Sequence, residues 1–228
     1  MEASRIAALL DPFLDIPLTA LQLDQISTYI DLLLRWNSRV NLTAIRTPDE
    51  IVTRHFGESL FAARHLFPRS AASPAASPNL SPAGNPTRLL DLGSGAGFPG
   101  LPIKIWAPDI PVELIESNNK KVAFLREVIR ALTLTTIDVT AVRAEDSPTG
   151  HAQVVTLRAV ERFAQILPTA IRLLSPGGRL ALLISESQLR EATRLAPTLH
   201  WSPSTQIPNS KARILAIGSQ ICNEVGGC

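Results

Sequence analysis

Short apolar segments alternate with helical patterns from residue 88 to residue 218, and this alternation constrains the fold more than any other feature of the sequence. Strands are predicted for RLLDLG, VELIES, IDVTAV, QVVTL, GGRLALLIS and ARILAIG, and helices for residues 99–107, 119–132, 160–174 and 186–196. Such alternation is typical of a parallel sheet with helices on both faces. The last strand is expected to pair antiparallel with residues near Trp201 to Ile207, across the turn PNSKA.

Residues 1–67 precede this pattern and are predicted to form an N-terminal helical region. The letters TALQ, Thr19 to Gln22, match a capping box. Apolar residues then recur at helical spacing, at Leu23, Ile26, Ile30 and Leu33. A later helix is expected to begin near Pro48, because TPDE supplies a cap, a first-turn proline and early acidic residues.

The segment 68–87 has a different composition from the rest of the chain. It contains five prolines, five alanines and four serines, and Arg69 is its only charged residue. A segment of this kind buries too little apolar surface to order itself, so we predict a linker or insertion, with a recognition loop as the alternative. It separates the helical region from a predicted second domain over 88–220, which a tail over 221–228 follows.

Charge and cysteine content restrict the function classes only weakly. A net charge of +2 and a pI near 8.8 permit an anionic partner without requiring one. The only cysteines, Cys222 and Cys228, have no metal-ligand spacing, and no apolar run approaches the roughly 20 residues that span a membrane. We therefore expect a cytoplasmic protein, monomeric, with no metal and no membrane contact.

Four glycines follow the first predicted strand, in the stretch LLDLGSGAGFPG. They stand at 93, 95, 97 and 100, whereas a dinucleotide fingerprint would require glycine at Phe98, and the lysine of a Walker loop is missing. The preceding acid, Asp91, would repel a pyrophosphate. A ligand with positive charge, such as S-adenosylmethionine with its ammonium and sulfonium groups, suits Gly93, Gly95 and Asp91 better.

Two further positions could complete a cofactor site. Glu116 ends the second strand, nineteen residues after Gly97, where a carboxylate can accept hydrogen bonds from ribose hydroxyls. Ala144 and Glu145 follow the third strand, where an adenine could stack. Glu116 could instead be a solvated acid at the end of a strand, and Ala144 and Glu145 could be ordinary loop residues.

These stretches, together with LLRWNSRVNLTAI, RHFGES, LIESNNKKVAFL, VRAED and LRAV, occur in the order seen in one known family. Between about Leu21 and Ile184 the chain resembles the glucose-inhibited division protein B family, the bacterial methyltransferases of guanine N7 in 16S ribosomal RNA. The resemblance implies a class I S-adenosylmethionine-dependent methyltransferase fold. That fold is Rossmann-like, with a mostly parallel seven-stranded sheet and an antiparallel C-terminal hairpin, here preceded by an N-terminal helical extension.

The resemblance also implies site residues. Matching the family's motifs position by position gives cofactor contacts at Gly93, Phe98, Ala144, Glu145 and Arg158. Positive residues near the expected cleft are candidates for contacts with the substrate RNA, namely Arg54, His55, Lys120, Lys121 and Arg126. For the lysine pair a solvated helix face is an equally good interpretation, and His55 could instead be a core histidine bonded to Ser59.

The expected chemistry needs no general base, because guanine N7 carries a free lone pair and no proton. The chain lacks the [DNS]-P-P-[YFW] motif of amine methylation, since TLRAV stands in its place, and neither cysteine is near enough for pyrimidine C5 chemistry. The chain departs from the family in segment 68–87 and in lacking a lysine near Ile184. The alternatives are a small-molecule methyltransferase and a non-catalytic ribosome-binding protein.

Overall fold

The computed structural model describes residues 1–69, 87–158 and 162–220. Within these ranges eight strands form one sheet: β1 Leu89–Leu92, β2 Val112–Ile115, β3 Ile137–Thr140, β4 Ala152–Arg158, β5 Leu174–Ile184, β6 Leu199–Trp201, β7 Thr205–Gln206 and β8 Ile214–Gln220. The order across the sheet is β3-β2-β1-β4-β5-β8-β6, and β7 pairs with β8 outside this path.

Strands β1 to β5 run parallel to one another, and β8 runs antiparallel to β5. The predicted sheet, mostly parallel with an antiparallel C-terminal hairpin, is confirmed. The chain moves outward from β1 to β3 and then returns to the other side of β1 with β4. The strand order therefore reverses between β1 and β4, where sheets of this kind bind their ligands at the carboxyl ends of the strands.

The partner of β8 is divided into two short strands. Residues 199–201 pair with the end of β8, and residues 205–206 pair with its beginning. Pro203 lies between them and has no amide hydrogen to donate to a ladder. The continuous strand order thus contains the seven predicted strands. Strand β7 is an eighth, which the sequence analysis did not distinguish from β6.

Eight α-helices accompany the sheet in the described ranges: α1 Ala3–Leu10, α2 Ala20–Asn37, α3 Pro48–Glu50, α4 Glu58–Leu66, α5 Gly100–Trp106, α6 Asn119–Ala131, α7 Phe163–Leu173 and α8 Glu186–Leu195. A π-helical segment, Ile51–Gly57, makes α3 and α4 continuous, and Asp11–Phe13 is a 3-10 turn. The N-terminal helices are confirmed, with loops at 14–19 and 38–47. Most of the predicted linker, the predicted tail and the start of the helix predicted from 160 lie outside the described residues.

Helix α2 begins where the capping box predicts. The Thr19 hydroxyl accepts a hydrogen bond from the Gln22 amide, and the Gln22 side chain accepts one from the Thr19 amide. The apolar stripe continues into the core, where Ile26, Ile30 and Leu33 are buried. Gln22 also donates through Nε2 to the carbonyl of Ile105 at 2.7 Å, which joins α2 to the end of α5.

Both faces of the sheet are covered by apolar side chains. Leu89 of β1 packs in a cluster with α5, α6 and the N-terminal helices, whereas the next residue, Leu90, packs in a second cluster with α7 and α8. This alternation follows from the two-residue period of a strand. The N-terminal helices therefore share one continuous core with this face of the sheet.

We expect Gln22→Ala to lower the free energy of unfolding by about 1–3 kcal/mol, because it leaves the buried Ile105 carbonyl and the Thr19 amide without a partner. Chemical denaturation measures this effect. The control is Thr28→Ala, which removes an exposed side chain from the same helix. Equal stability of the two variants would contradict the role assigned to Gln22.

Candidate functional site

The carboxyl ends of β1 and β2 and the segment after β3 enclose a pocket of about 360 Å³. Its lining includes the apolar residues Leu92, Ile115, Val142 and Ile166 as well as charged ones. Four of the residues predicted to bind a cofactor also line it, namely Gly93, Glu116, Ala144 and Glu145. The strand ends thus bring together Gly93 and Glu145, which lie 52 positions apart in the sequence.

Glu116 is held in place by the backbone around it. Its Oε2 accepts a hydrogen bond from the Gly95 amide at 2.9 Å, and its Oε1 accepts one from the Asn118 amide at 2.8 Å. Each carboxylate oxygen has two acceptor positions, so each keeps one for a ligand hydroxyl. The predicted acid is therefore oriented in advance, and it also fixes the glycine loop.

Two glycines of this loop are required for different reasons. Gly95 has a φ of +58°, and a Cβ there would meet only the Gly93 carbonyl at 3.8 Å, so the space beside it is open. Gly97 has a φ of +87°, and a Cβ there would collide with Leu101 and the Tyr29 hydroxyl. Gly95 therefore leaves open space beside the loop, whereas Gly97 is required by internal packing.

Asp91 lies beneath the loop rather than in the pocket lining. Its Oδ1 accepts a hydrogen bond from the Thr156 hydroxyl at 2.7 Å, and its Oδ2 accepts one from the Gly100 amide at 3.2 Å. Burial raises the pKa of this carboxyl to about 6, although these hydrogen bonds and Arg158 act in the opposite direction. Asp91 thus connects the start of α5 to β4, and the cofactor contact predicted for it stays a prediction.

Phe98 lies in an aromatic stack that joins the loop to the N-terminal helices. Its ring is parallel to that of Tyr29, with centroids 5.3 Å apart, and it stacks on His55 at 4.6 Å. The Tyr29 hydroxyl donates to the Ala96 carbonyl within the loop. The Phe98 side chain is therefore engaged in packing, and it is not part of the pocket lining.

His55 is neutral and both of its ring nitrogens have partners. Burial, together with the charges of Arg158, Arg54 and Arg213, lowers its pKa to about 3. Arg158 lies 3.1 Å from Nδ1, and an arginine can only donate, so Nδ1 accepts. The ring proton is then on Nε2, which donates to the Thr43 hydroxyl at 2.8 Å. Ser59, the predicted partner, donates instead to the His55 carbonyl.

Arg158 ends β4 and forms a buried ion pair that the sequence analysis missed. Its Nη2 lies 2.9 Å from Oε2 of Glu58, and the two side chains are only 7% and 4% exposed. The same guanidinium donates to the carbonyl of Arg54. Glu58 also approaches Arg213, with Nε 3.6 Å from Oε1. RHFGES contains Glu58, but no local pattern indicates that its carboxylate would meet residues 100 and 155 positions away.

The remaining predicted RNA contacts lie at separate places on the surface. Arg54 is exposed on the π-helical segment. Lys120 and Lys121 occupy the first turn of α6, beside Ser117 of the pocket, and their amides donate to the Asn118 side chain. Arg126 lies six residues further along α6, about 9 Å along the axis, and is 3.4 Å from the Val139 carbonyl. It is therefore displaced from the pocket.

Two further observations concern the described residues alone. They contain no group of three or more His, Cys, Asp or Glu side chains arranged to bind a metal ion. Each of their helices is too short or too polar to span a membrane.

The chain is similar to known proteins over most of its length. A family model described as GidB, rRNA small subunit methyltransferase G, matches residues 22–210. The chain is 42% identical to Ribosomal RNA small subunit methyltransferase G of Roseiflexus castenholzii over 69% of its own length and 63% of that relative's length, which is less than two thirds. It is 34% identical to the protein of the same name from Streptococcus pyogenes, over 88% and 84% of the two lengths.

A solved structure with a similar fold is that of a SAM-dependent methyltransferase from Aquifex aeolicus. The TM-score is 0.51, with 15% identity over 59% of this chain and 82% of that one. At this identity the similarity concerns the fold, and it agrees with the strand order described above.

We expect the His55 ring to stay neutral in the folded protein down to about pH 4, with its proton on Nε2, because its pKa is lowered to about 3. Nitrogen NMR of labelled histidine measures both properties, and histidines of the urea-unfolded chain should titrate near 6.5. A ring that gains a proton near pH 6.5 in the folded protein would contradict the assignment.

The same shift has a thermodynamic consequence. Below about pH 6.5 the unfolded chain binds a proton that folded His55 does not, so this contribution to stability is complete above pH 6.5. It declines by up to about 1.4 kcal/mol per pH unit as the pH falls towards 3. The raised pKa of Asp91 acts in the opposite direction between about pH 4 and 6. The effect is therefore measured as the difference between wild type and His55→Gln.

Proposed function

Because the chain belongs to the GidB family of rRNA small subunit methyltransferases G, we propose that it transfers a methyl group from S-adenosylmethionine to N7 of a guanine in 16S ribosomal RNA. The observation that carries the proposal is the pocket at the ends of β1 to β3, where Glu116 holds the glycine loop open. The substrate of the protein would be ribosomal RNA, alone or within the small ribosomal subunit.

The residues of the pocket fit an adenosine group. The open space beside Gly95 lets a ligand approach the loop backbone, and the free acceptor positions of Glu116 suit ribose hydroxyls. The apolar wall at Ile115, Val142 and Ile166, with Ala144 and Glu145, suits the flat face of an adenine. We propose that Gly93, Gly95, Phe98 and Arg158 complete this site, and that Asp91 supports it from below.

When bound, S-adenosylmethionine supplies a methyl group on a positively charged sulfur. The protein's own task is then alignment of guanine N7, which can contribute about 7–11 kcal/mol in well-oriented reactions. No proton leaves N7, so no general base is needed. His55 agrees with this, because both of its nitrogens have partners within the protein.

The RNA would be bound by positive residues at separate places on the surface. We propose that Arg54, Lys120 and Lys121 contact phosphates, with Arg126 as a more distant contact. His55 is neutral and so contributes through its ring and through Arg158 instead of through charge. We also propose that the protein acts as a monomer in the cytoplasm, where ribosomal subunits are assembled.

We expect Gly95→Asp to weaken S-adenosylmethionine binding at least tenfold while the fold is retained. The new side chain would project into the open space beside the loop, and its charge would lie close to the Glu116 carboxylate. Calorimetry measures the affinity. The matched control is Gly150→Asp, at another open position with a φ of +64°, which precedes β4 at the opposite edge of the sheet. Equal affinity of both variants would overturn the cofactor site.

The function itself is tested by methyl transfer. Labelled S-adenosylmethionine is incubated with the protein and either free 16S ribosomal RNA or small ribosomal subunits, and the modified base is mapped. We expect label on a ring nitrogen of one guanine. Label on an exocyclic amine, on a pyrimidine or on a small molecule, or no transfer to either RNA sample, would contradict the proposal.

A further inference from the structure

A second pocket, of about 430 Å³, lies between the N-terminal helices and the turn that joins β7 to β8. One wall is formed by Arg54 and Glu58, and the other by residues 208–213, including Lys211 and Arg213. We call it the turn pocket. The sequence analysis named Arg54 as a candidate RNA contact, but it assigned no role to Lys211 or Arg213.

The turn pocket has an excess of positive charge. Arg54, Lys211 and Arg213 line it, and Glu58 is its only acidic residue. The Glu58 carboxylate is already paired with Arg158 at 2.9 Å and is 3.6 Å from Arg213. Within the described ranges, neither Arg54 nor Lys211 has an ion-pair partner. At least two positive charges of the pocket are therefore not balanced by the protein.

The neighbouring histidine lies in the same positive surroundings. His55 is adjacent to Arg54 in the chain and receives a hydrogen bond from Arg158. Burial lowers its pKa most, and the charges of Arg158, Arg54 and Arg213 each lower it further. A site in which three guanidinium groups disfavour a fourth positive charge is suited to an anion.

The turn that carries Lys211 is held by its own hydrogen bonds. The Ser210 hydroxyl accepts from the Arg213 amide at 3.1 Å, and Gln206 donates to the carbonyls of Ser210 and Arg213 at 2.6 and 2.9 Å. The backbone beneath the cations is thus ordered before a ligand arrives. Less conformational entropy is then lost on binding.

The turn pocket lies at the same edge of the sheet as the cofactor pocket. Ile214, the first residue of β8, pairs with Ile184, the last residue of β5, so the preceding turn projects from the carboxyl ends of the parallel strands. Arg158 ends β4 at this edge and contacts both the Arg54 carbonyl and Glu58. An RNA whose guanine reaches the methyl group at the carboxyl ends of the strands therefore has the turn pocket at the same edge of the sheet.

We propose that the turn pocket binds a phosphate of the RNA chain that flanks the methylated nucleotide, with Lys211 and Arg54 as its principal contacts. The proposal rests on the proposed function for the identity of the polymer. Guanidinium and ammonium groups are donors only, which matches the phosphate oxygens and not the mixed edges of a base. Glu58 holds Arg213 in the lining of the pocket and pairs with Arg158 behind it.

The decisive variant is Lys211→Gln, which removes one exposed charge outside the cofactor pocket and leaves the hydrogen bonds of the turn intact. The matched control is Arg194→Gln, at the far end of α8. Binding of 16S ribosomal RNA is measured from low to moderate salt. We expect Lys211→Gln to lower affinity about three- to tenfold and to flatten the slope of log affinity against log salt by about 0.7–0.9. Arg194→Gln and the affinity for S-adenosylmethionine should not change.

A second arm separates an RNA phosphate from the free ion. Inorganic phosphate, replacing chloride at constant ionic strength, should compete with RNA for the wild type more strongly than for Lys211→Gln. If phosphate competes equally with both, or if Lys211→Gln keeps wild-type affinity and slope, the proposal is overturned. If the wild type fails to methylate RNA while Lys211→Gln still changes the slope, the proposed methyl transfer fails and the anion site stands.

Discussion

The buried ion pair between Arg158 and Glu58 is the contact on which the functional edge of the molecule depends. It joins the end of β4 to the start of α4, and Arg54, His55 and Arg213 are arranged around it. Removing water from two charges is costly, and such a pair is stable only with further hydrogen bonds. The Arg54 carbonyl and the His55 ring supply them. The N-terminal helices are thereby a part of the active edge and not an appendage to it.

The conformation of the glycine loop is likewise set by contacts with two parts of the structure, the sheet and the N-terminal helices. From the sheet, Glu116 accepts the Gly95 amide and Asp91 accepts the Gly100 amide. From the N-terminal helices, Tyr29 donates to the Ala96 carbonyl, and its ring stacks on Phe98. A loop with three positive φ angles would otherwise sample many conformations. These contacts select one conformation, and they leave the space beside Gly95 open for a ligand.

The sequence was sufficient for those features that arise from local patterns. Alternation of apolar strands and helices predicted the sheet, TALQ predicted the start of α2, and glycine spacing with Glu116 predicted residues that meet in one pocket. Features that depend on distant contacts were not predictable. Glu58 and Arg213 acquire their roles only when the fold brings them to Arg158, and the orientation of Asp91 towards Thr156 depends on the pairing of β1 with β4. Pro203 can be read from the sequence. The separate strand β7 that follows it depends on the register with β8.

The divided strand at the end of the sheet also affects how molecules of this protein meet one another. A long exposed strand offers a row of free amide and carbonyl groups on which a strand from a second molecule can grow. Here one edge of the sheet is formed by β6, with three residues, and after a break by β7, with two. The other edge strand, β3, has only four residues, and the Arg126 side chain donates a hydrogen bond to the Val139 carbonyl within it. Among the described residues neither edge strand offers a long template, so strand pairing between two molecules is disfavoured at both edges.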